Sequence, residues 1–319
     1  MEQLSQALRR LRRDWAFTTA FVVTLALGIA ANVAVFSALD AYFLRPLPYP
    51  HGERLVDIYL GFGKYPGPPG VISAPAYQRL RSAHALSSSG LSRGLGNRTV
   101  AIPGEAPRSH EVAAVTASTL ETLDAQPLFG RWISSAADRA DGPAEVDVSY
   151  RLWQSAFHGD PHALSRALSI GGKHYTIVGV MPPGFAFPAH NTQLWISAAL
   201  TPAALGLQRT AVLNWLMIAR LRPGVSRAEL NAELRGLLAR LEQSMPPASR
   251  ESFRQAGVYV AFMPLRQWLG GATRGRLLMM QLGAGILLLL AVASLANLAL
   301  ARALRRRDEV ALRVVLGAG

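Results

Sequence analysis

Two uncharged stretches, Trp15 to Leu39 and Leu277 to Ala301, each 25 residues long, stand near the two ends of the 319-residue chain. A helix needs roughly 20 apolar residues to cross the hydrocarbon core of a bilayer. Neither stretch contains proline, so an unbroken helix can satisfy every backbone group internally, as lipid requires. A cleaved secretory signal has an apolar region of only about 7 to 15 residues, shorter than the first stretch. In the second, Gly283, Gly285 and the Ile286 to Ala293 run, closed by an arginine cluster, suit lipid better than a buried core. The chain reads as two transmembrane helices with a globular body between them.

Arg9, Arg10, Arg12 and Arg13 precede the first span, and Arg302, Arg305, Arg306 and Arg307 follow the second. The positive-inside rule then puts both termini in the cytoplasm and the body outside. Arg45, Arg274 and Arg276 oppose this orientation, but a long soluble domain is translocated largely regardless of its charge. The expected division is a basic amphipathic segment over 1–14, a first span over 15–44, an outer domain over 45–276, a second span over 277–303 and a cytoplasmic segment over 304–319.

The net charge of +13 invites a nucleic-acid partner. The excess is scattered, without the basic stripe and interleaved aromatics of a strand-binding surface, so nucleic acid is excluded. There is no cysteine, which removes disulfides, thiol catalysis and cysteine metal sites. The outer domain must hold together by burial alone, and a body of this size buries about 70% of its unfolded surface.

Within the outer domain the patterning is mixed. Leu55 to Leu60 alternates as a strand, the Gly- and Pro-rich run from Gly61 to Gly70 is a loop, and Ser73 offers a helix start. GNRTVAI and HEVAAVT read as short strands. ASTLETLDAQPLFGRWI reads as a helix ended by Pro127, and VDVSYRLWQSAF as a strand running into a helix. LSIGGKHYTIVGVM predicts a hairpin about Gly171 and Gly172. Ser226 and Glu229 have the spacing of a capping box, opening a helix with Leu230, Leu234, Leu237, Leu238 and Leu241 on one face. VYVAFMPLRQWL supplies a last strand. The fold class is α+β, mixed strands and helices in one body or two subdomains, inserted between two transmembrane helices.

Chemistry is scarce. Gly90-Leu91-Ser92-Arg93-Gly94 matches the G-x-S-x-G pattern of hydrolases, whose serine needs a strand-to-helix turn, but Leu95-Gly96-Asn97-Arg98 cannot open a stable helix, and a glycine loop accounts for the match. His158 and His162 are four apart, yet Gly159 and Pro161 between them disfavour the helix that zinc spacing requires, so a turn joining two helices is expected. His51, His84, His110, His174 and His190 are isolated in sequence. Gly63-Lys64-Tyr65 does not complete a phosphate loop, so energy for any work must come from a partner. No catalytic, cofactor or metal residue is assigned.

Small and polar residues within the spans suggest helix contacts. Ala26, Ala30 and Ala34 repeat every four positions, as do Gly28 and Asn32, giving edges on which another helix can approach closely. Asn32, Gln281 and Asn297 are uncharged polar groups at membrane depth, where they seek interhelical hydrogen bonds. In the tail, RRRDEVALRVVLG is basic and then amphipathic, suited to acidic phospholipid or to a protein groove.

The run TLALGIAANVAVFSALDAYFLRPLPYPHGERLV resembles the opening of bacterial MacB-like ABC transporter permeases. ASTLETLDAQPLFGRWI, SYRLWQSAFHGDP, LSIGGKHYTIVGVMPPGFAFP and ARLRPGVSRAEL resemble successive stretches of the MacB-like periplasmic core domain, and LLLLAVASLANLALARALRRRDEVALRVVLGAG the start of the FtsX-like permease region. Asp147 departs from the family pattern of a small or apolar residue, which suggests a degenerate or edge strand. The resemblance implies a non-catalytic permease subunit of an export or mechanotransmission system in the bacterial inner membrane, with a periplasmic domain and no cofactor of its own. ATP would be bound by a cytoplasmic ABC ATPase, met by Arg305, Arg306, Arg307, Glu309 and Arg313. The lipid bilayer, a homo- or hetero-dimer with another permease half and a periplasmic adaptor are the other partners it implies. Such permeases carry further spans, so a chain ending at Gly319 is expected to be a fragment or a truncated copy. The alternative is a membrane-tethered periplasmic binding or sensing module without transport activity.

Overall fold

The computed structural model describes residues 15–39, 47–63, 71–207, 212 and 214–315, without the side chains of 16–18, 20, 38–39, 270–274, 276–277, 298–299 and 301–315. The amphipathic segment expected over 1–14 and most of the Gly- and Pro-rich run lie outside the described residues. The chain divides into two compact parts, Met1–Arg45 with Gly270–Gly319, and Pro46–Leu269.

Helix α1 covers Trp15–Leu39, the bounds expected from the apolar run. The strands are β1 (Leu55–Phe62), β2 (Leu86–Ala101), β3 (Arg108–Val115), β4 (Phe129–Gly130), β5 (Glu145–Val148), β6 (Ala167–Ile170), β7 (Lys173–Val180), β8 (Leu194–Ser197), β9 (Leu216–Leu221) and β10 (Val258–Pro264). The other helices are α2 (Ala74–Leu80), α3 (Ala117–Leu123), α4 (Tyr150–Phe157), α5 (Pro202–Leu205), α6 (Arg227–Gln243), α7 (Pro247–Gln255) and α8 (Leu265–Val315). Among the described residues one helical stretch, Leu278–Asn297, is long and apolar enough to cross a membrane, and Phe21–Ser37 is a shorter apolar helix.

The ten strands form one sheet in the order β10-β1-β9-β2-β3-β8-β5-β7-β4, with β6 pairing β2 and β7. Two subdomains, left open by the sequence, are therefore not separate sheets. Most pairs are antiparallel, but β3 with β8 and β5 with β7 run parallel. The β6-β7 hairpin turns at Gly171 and Gly172, whose φ values of 56 and 86° suit a two-residue turn of the kind that favours glycine.

Alternation along the strands covers the sheet on both faces. Val56, Ile58, Val112, Ala114, Met217 and Ala219 belong to the largest core cluster, with leucines of α6. Their neighbours Leu55, Leu216 and Ile218 enter a second cluster, and Ala113 and Val115 a third, on the opposite face. In α6 the expected leucines are all buried, and Ser226 and Glu229 make the reciprocal capping box. Glu233 of the same helix accepts from the Ala85 N–H at 2.9 Å, pinning the turn before β2.

Four expectations change. GNRTVAI is not a short strand but the end of the 16-residue β2. The glycine loop expected at Gly90 to Gly94 is the middle of that strand. Gly90 is there because a Cβ at this position would collide with the Cα and N of Thr119, so the glycine serves close packing of α3 rather than a turn. Helix α3 ends at Leu123, where Asp124 caps it in the left-handed region (φ 52°), before Pro127 can act. Asp147 is not at an edge, because β5 lies between β8 and β7. Strands β4 and β8 and helix α7 carried no pattern strong enough to expect them.

Gly90→Ala is expected to lower the stability of the body by about 2 kcal/mol, the usual cost of overpacking a core. Urea unfolding of the full chain in detergent, followed by tryptophan fluorescence, measures it; an unchanged midpoint would show that α3 can move away freely.

Candidate functional site

The polar residues of the two apolar helices come together within the helical part of the chain. Asn32 Nδ2 donates to the Gly28 carbonyl and to the Ala284 carbonyl, both at 3.0 Å, and Gln281 Nε2 donates to Asn32 Oδ1 at 3.1 Å. A single asparagine thus bridges α1 and α8, using both amide hydrogens and its oxygen. The helices are close at this level: a Cβ on Gly28 would lie 2.8 Å from the Leu288 side chain. Glycine allows the approach that makes the hydrogen bonds short, the arrangement that suits helix pairing where no water competes. Gln281 Oε1 is buried and has no partner among the described residues.

Other candidates are not brought to this bridge. Ala30, Ala34 and Asn297 are exposed. The backbone of α8 continues as helix through Arg305, Arg306, Arg307, Glu309 and Arg313, but their side chains lie outside the described residues. The exposed large residues of the helical part, among them Leu27, Ile29, Phe36, Leu282, Leu287 and Leu289, leave an apolar surface that water does not favour.

In the body, Ser92 is fully buried in β2, and its Oγ has no hydrogen-bond partner among the described residues. A strand interior offers neither the exposed turn nor the basic partner that a nucleophile needs. His158 caps α4 in the left-handed region, and His162 faces Asp160 at 2.9 Å, so the four-residue spacing spans a turn. His110 Nδ1 lies 2.9 Å from Gln193 Oε1. Among the described residues no group of three or more His, Cys, Asp or Glu could hold a metal ion.

Two buried carboxyl groups are the most unusual electrostatic feature of the body. Asp57 in β1 is fully buried with neither oxygen hydrogen-bonded among the described residues, and burial pushes its pKa up to about 8. Asp147 in β5 is also fully buried. Its Oδ2 accepts from the Ile133 N–H at 3.4 Å, and burial together with the charge of Glu145 raises it to about 8. A Cβ at Gly179 would reach 2.6 Å from Asp147 Oδ1, so that glycine makes the room the carboxyl occupies. Both groups hold their proton at neutral pH, as desolvation demands of an unpaired carboxyl. Asp57 was missed in the sequence; its signal was an acid inside the apolar alternation LVDIYL.

Arg220 in β9 ties several elements together. Its Nε and one terminal nitrogen donate to the Thr122 carbonyl at 3.1 and 2.9 Å, and the other donates to the Pro50 carbonyl at 2.7 Å and to that of His51 at 3.3 Å. The segment entering the body, the sheet and the end of α3 are joined by one side chain. Nearby, Tyr49 donates to the Ala186 carbonyl at 3.2 Å, and Leu265, Trp268 and Leu269 from the first turns of α8 pack in the same apolar cluster. The chain therefore enters and leaves the body against one core.

The family model described as the MacB-like periplasmic core domain matches residues 18–237. No curated protein matches the chain. Among solved structures, a domain assigned to a permease protein from Porphyromonas gingivalis is similar at 16% identity and TM-score 0.48, over 68% of this chain and 92% of that one. The periplasmic region of MacB from Actinobacillus actinomycetemcomitans is similar at 10% identity and TM-score 0.47, over 70% and 94%. The extracellular domain of the noncanonic ABC-type transporter YknZ from Gram-positive bacteria is similar at 10% identity and TM-score 0.44, over 65% and 99%.

Proposed function

This chain belongs to the MacB-like periplasmic core domain family, and from that membership we propose that it is a non-catalytic permease component that couples a cytoplasmic ABC ATPase to its periplasmic body. The observation that carries the reading is the direct junction of β10 and α8. Pro264 ends the strand and Leu265 begins the helix, with no loop between them. A helix transmits displacement along its length, while a loop absorbs it. Movement imposed on the cytoplasmic end of α8 would reach an edge strand of the sheet and the cluster around Leu265 and Trp268.

In this reading α1 and α8 both cross the inner membrane, both termini are cytoplasmic, and the Asn32 and Gln281 bridge keeps the two helices moving together. Arg305, Arg306, Arg307, Glu309 and Arg313 form the face that meets the ATPase. Another permease half completes the transport unit, and a periplasmic adaptor engages the body. The division into 1–14, 15–44, 45–276, 277–303 and 304–319 is the topology this mechanism needs.

A reporter fused after Gly319 is expected to be active on the cytoplasmic side, and the protein to stay in membranes washed with alkaline carbonate. Purification from detergent is expected to recover an ATPase with the intact chain and to lose it when 305–319 is deleted. Recovery of no ATPase with the tail intact would replace this reading with that of a tethered sensing module. A periplasmic reporter would overturn the topology itself.

A further inference from the structure

A small pocket of about 260 Å³ lies in the body between β2, the start of α2, the segment from Ala198 to Ala204 and the residues just before β9, lined by Arg93, Trp215, Asn214, Thr201 and several alanines. Its one charged wall is Arg93, whose guanidinium carbon sits 4.6 Å from the centre of the Trp215 ring. The Nε of Arg93 is buried and has no hydrogen-bond partner among the described residues. Several other arginines of the body are supplied with acceptors: Arg131 pairs with Glu145 at 2.6 Å, Arg222 donates to the Leu86 carbonyl at 3.1 Å, and Arg250 donates to the Gln243 carbonyl at 2.7 Å, whereas Arg54 Nε, which does not line this pocket, is likewise buried without a partner among the described residues. A buried N–H without an acceptor is costly, and the half-buried side chain that carries it lines the cavity.

No acidic residue lines the pocket, and none occurs in β2 or from Leu194 to Ala228, the stretches that together with Ala74 supply its wall. Arg98 on the same strand adds a second positive charge, and burial together with Arg98 lowers the pKa of Arg93. Ala199, in the pocket wall, is held at φ 45°, a left-handed conformation that costs a non-glycine residue energy and persists only where its surroundings enforce it. A guanidinium placed over an indole face can still offer N–H groups for two parallel hydrogen bonds to a planar or tetrahedral oxyanion.

We propose that this pocket binds the carboxylate or phosphate group of a small ligand, with Arg93 as the bidentate donor, Trp215 as its platform, and the alanine wall against the ligand's apolar part. The volume equals that of on the order of nine waters at about 30 Å³ each, enough for a head group and a short chain. The pocket belongs to the body Pro46–Leu269, and its occupancy does not depend on the transport reading.

The test is calorimetric titration of the full chain in neutral detergent with inorganic phosphate, with hexanoate, and with phosphatidylglycerol set against phosphatidylcholine. Saturable binding of an anion is expected. It should weaken at least about tenfold in Arg93→Gln, as loss of a charge-assisted pair implies, and less in Arg93→Lys, which keeps the charge but not the fork. Ala204→Leu, which fills the lining without touching the charge, should also weaken it and guards against a folding defect in the arginine variants. Saturation by phosphate or hexanoate identifies a free anion as the source, and a response confined to phosphatidylglycerol identifies a head group. Saturation unchanged in Arg93→Gln, or no saturable response to any anion, overturns the proposal.

Discussion

Asp57→Asn is expected to withstand more urea than the parent well above pH 8 and no more than the parent near the ordinary carboxyl pKa of 3.8. The native state keeps the Asp57 proton until about pH 8, while the unfolded chain releases it near 3.8. Between those values the native state binds more protons, so stability falls as pH rises through the window and levels off above it. At about 1.4 kcal/mol per tenfold change in proton affinity, the move from 3.8 to about 8 represents on the order of 6 kcal/mol. Asparagine matches the neutral carboxyl in shape and cannot ionise, so it avoids that loss.

The gap between variant and parent isolates this residue, because every other titrating group is common to both. At a urea slope of about 2 kcal/mol/M, the midpoints should separate by about 3 M at high pH. Asp147→Asn should behave in the same direction, and the amide oxygen can keep the bond from the Ile133 N–H. A gap that does not widen with pH would mean that Asp57 is ionised and paired in the native protein. Buried groups of this kind cluster at functional sites. A loss of function in a more stable Asp57→Asn chain would place the carboxyl in the working cycle.

Arg220→Met is expected to destabilise the body by about 4 kcal/mol, since several backbone carbonyls lose a charged donor and each buried acceptor left unpaired costs about 1–3 kcal/mol. Methionine fills much of the volume and tolerates irregular surroundings, so the loss reports the hydrogen bonds rather than a cavity. Three carbonyls, those of Pro50, His51 and Thr122, lose their donor. Arg220→Lys should recover little, since one ammonium cannot reach both Thr122 and Pro50 in the fork geometry of a guanidinium. Urea unfolding of the full chain measures the loss. A cost below about 1 kcal/mol, typical of an exposed pair, would show that water replaces the arginine.

Local elements with strong internal chemistry were legible in the sequence. The capping box at Ser226, the leucine face of α6, the Gly171-Gly172 hairpin and the bounds of α1 all depend on residues within a few positions of one another. A loop at Gly90 to Gly94 follows from the torsional freedom of glycine, whereas Thr119, 29 positions after Gly90, demands its lack of a side chain. Asp147 reads as a mark of a degenerate or edge strand because it departs from the family pattern of a small or apolar residue; only the register with Trp195 and Gly179 puts it inside. Strand β8 is short, and its pattern LWIS is buried on both faces, so it has no alternation to find.

The candidate sites divide the same way. Asn32 and Gln281 could be singled out because an amide within an apolar run is conspicuous by itself. Their mutual bond could not, since it joins residues 249 positions apart. The pairing of Arg93 with Trp215 and the reach of Arg220 to Pro50 and Thr122 likewise have no trace in local spacing.

Composition and short-range pattern alone determined that this chain has two long apolar helices around an α+β body without disulfides, and the order of its motifs indicated the family. Strand order, the burial of Asp57 and Asp147, the close approach at Gly90 and the unpaired guanidinium over its pocket were decided only by the tertiary structure. The reason is physical: helix caps, turns and hydropathy are energies of neighbours in sequence, while desolvation and steric exclusion depend on what the folded chain brings from far away.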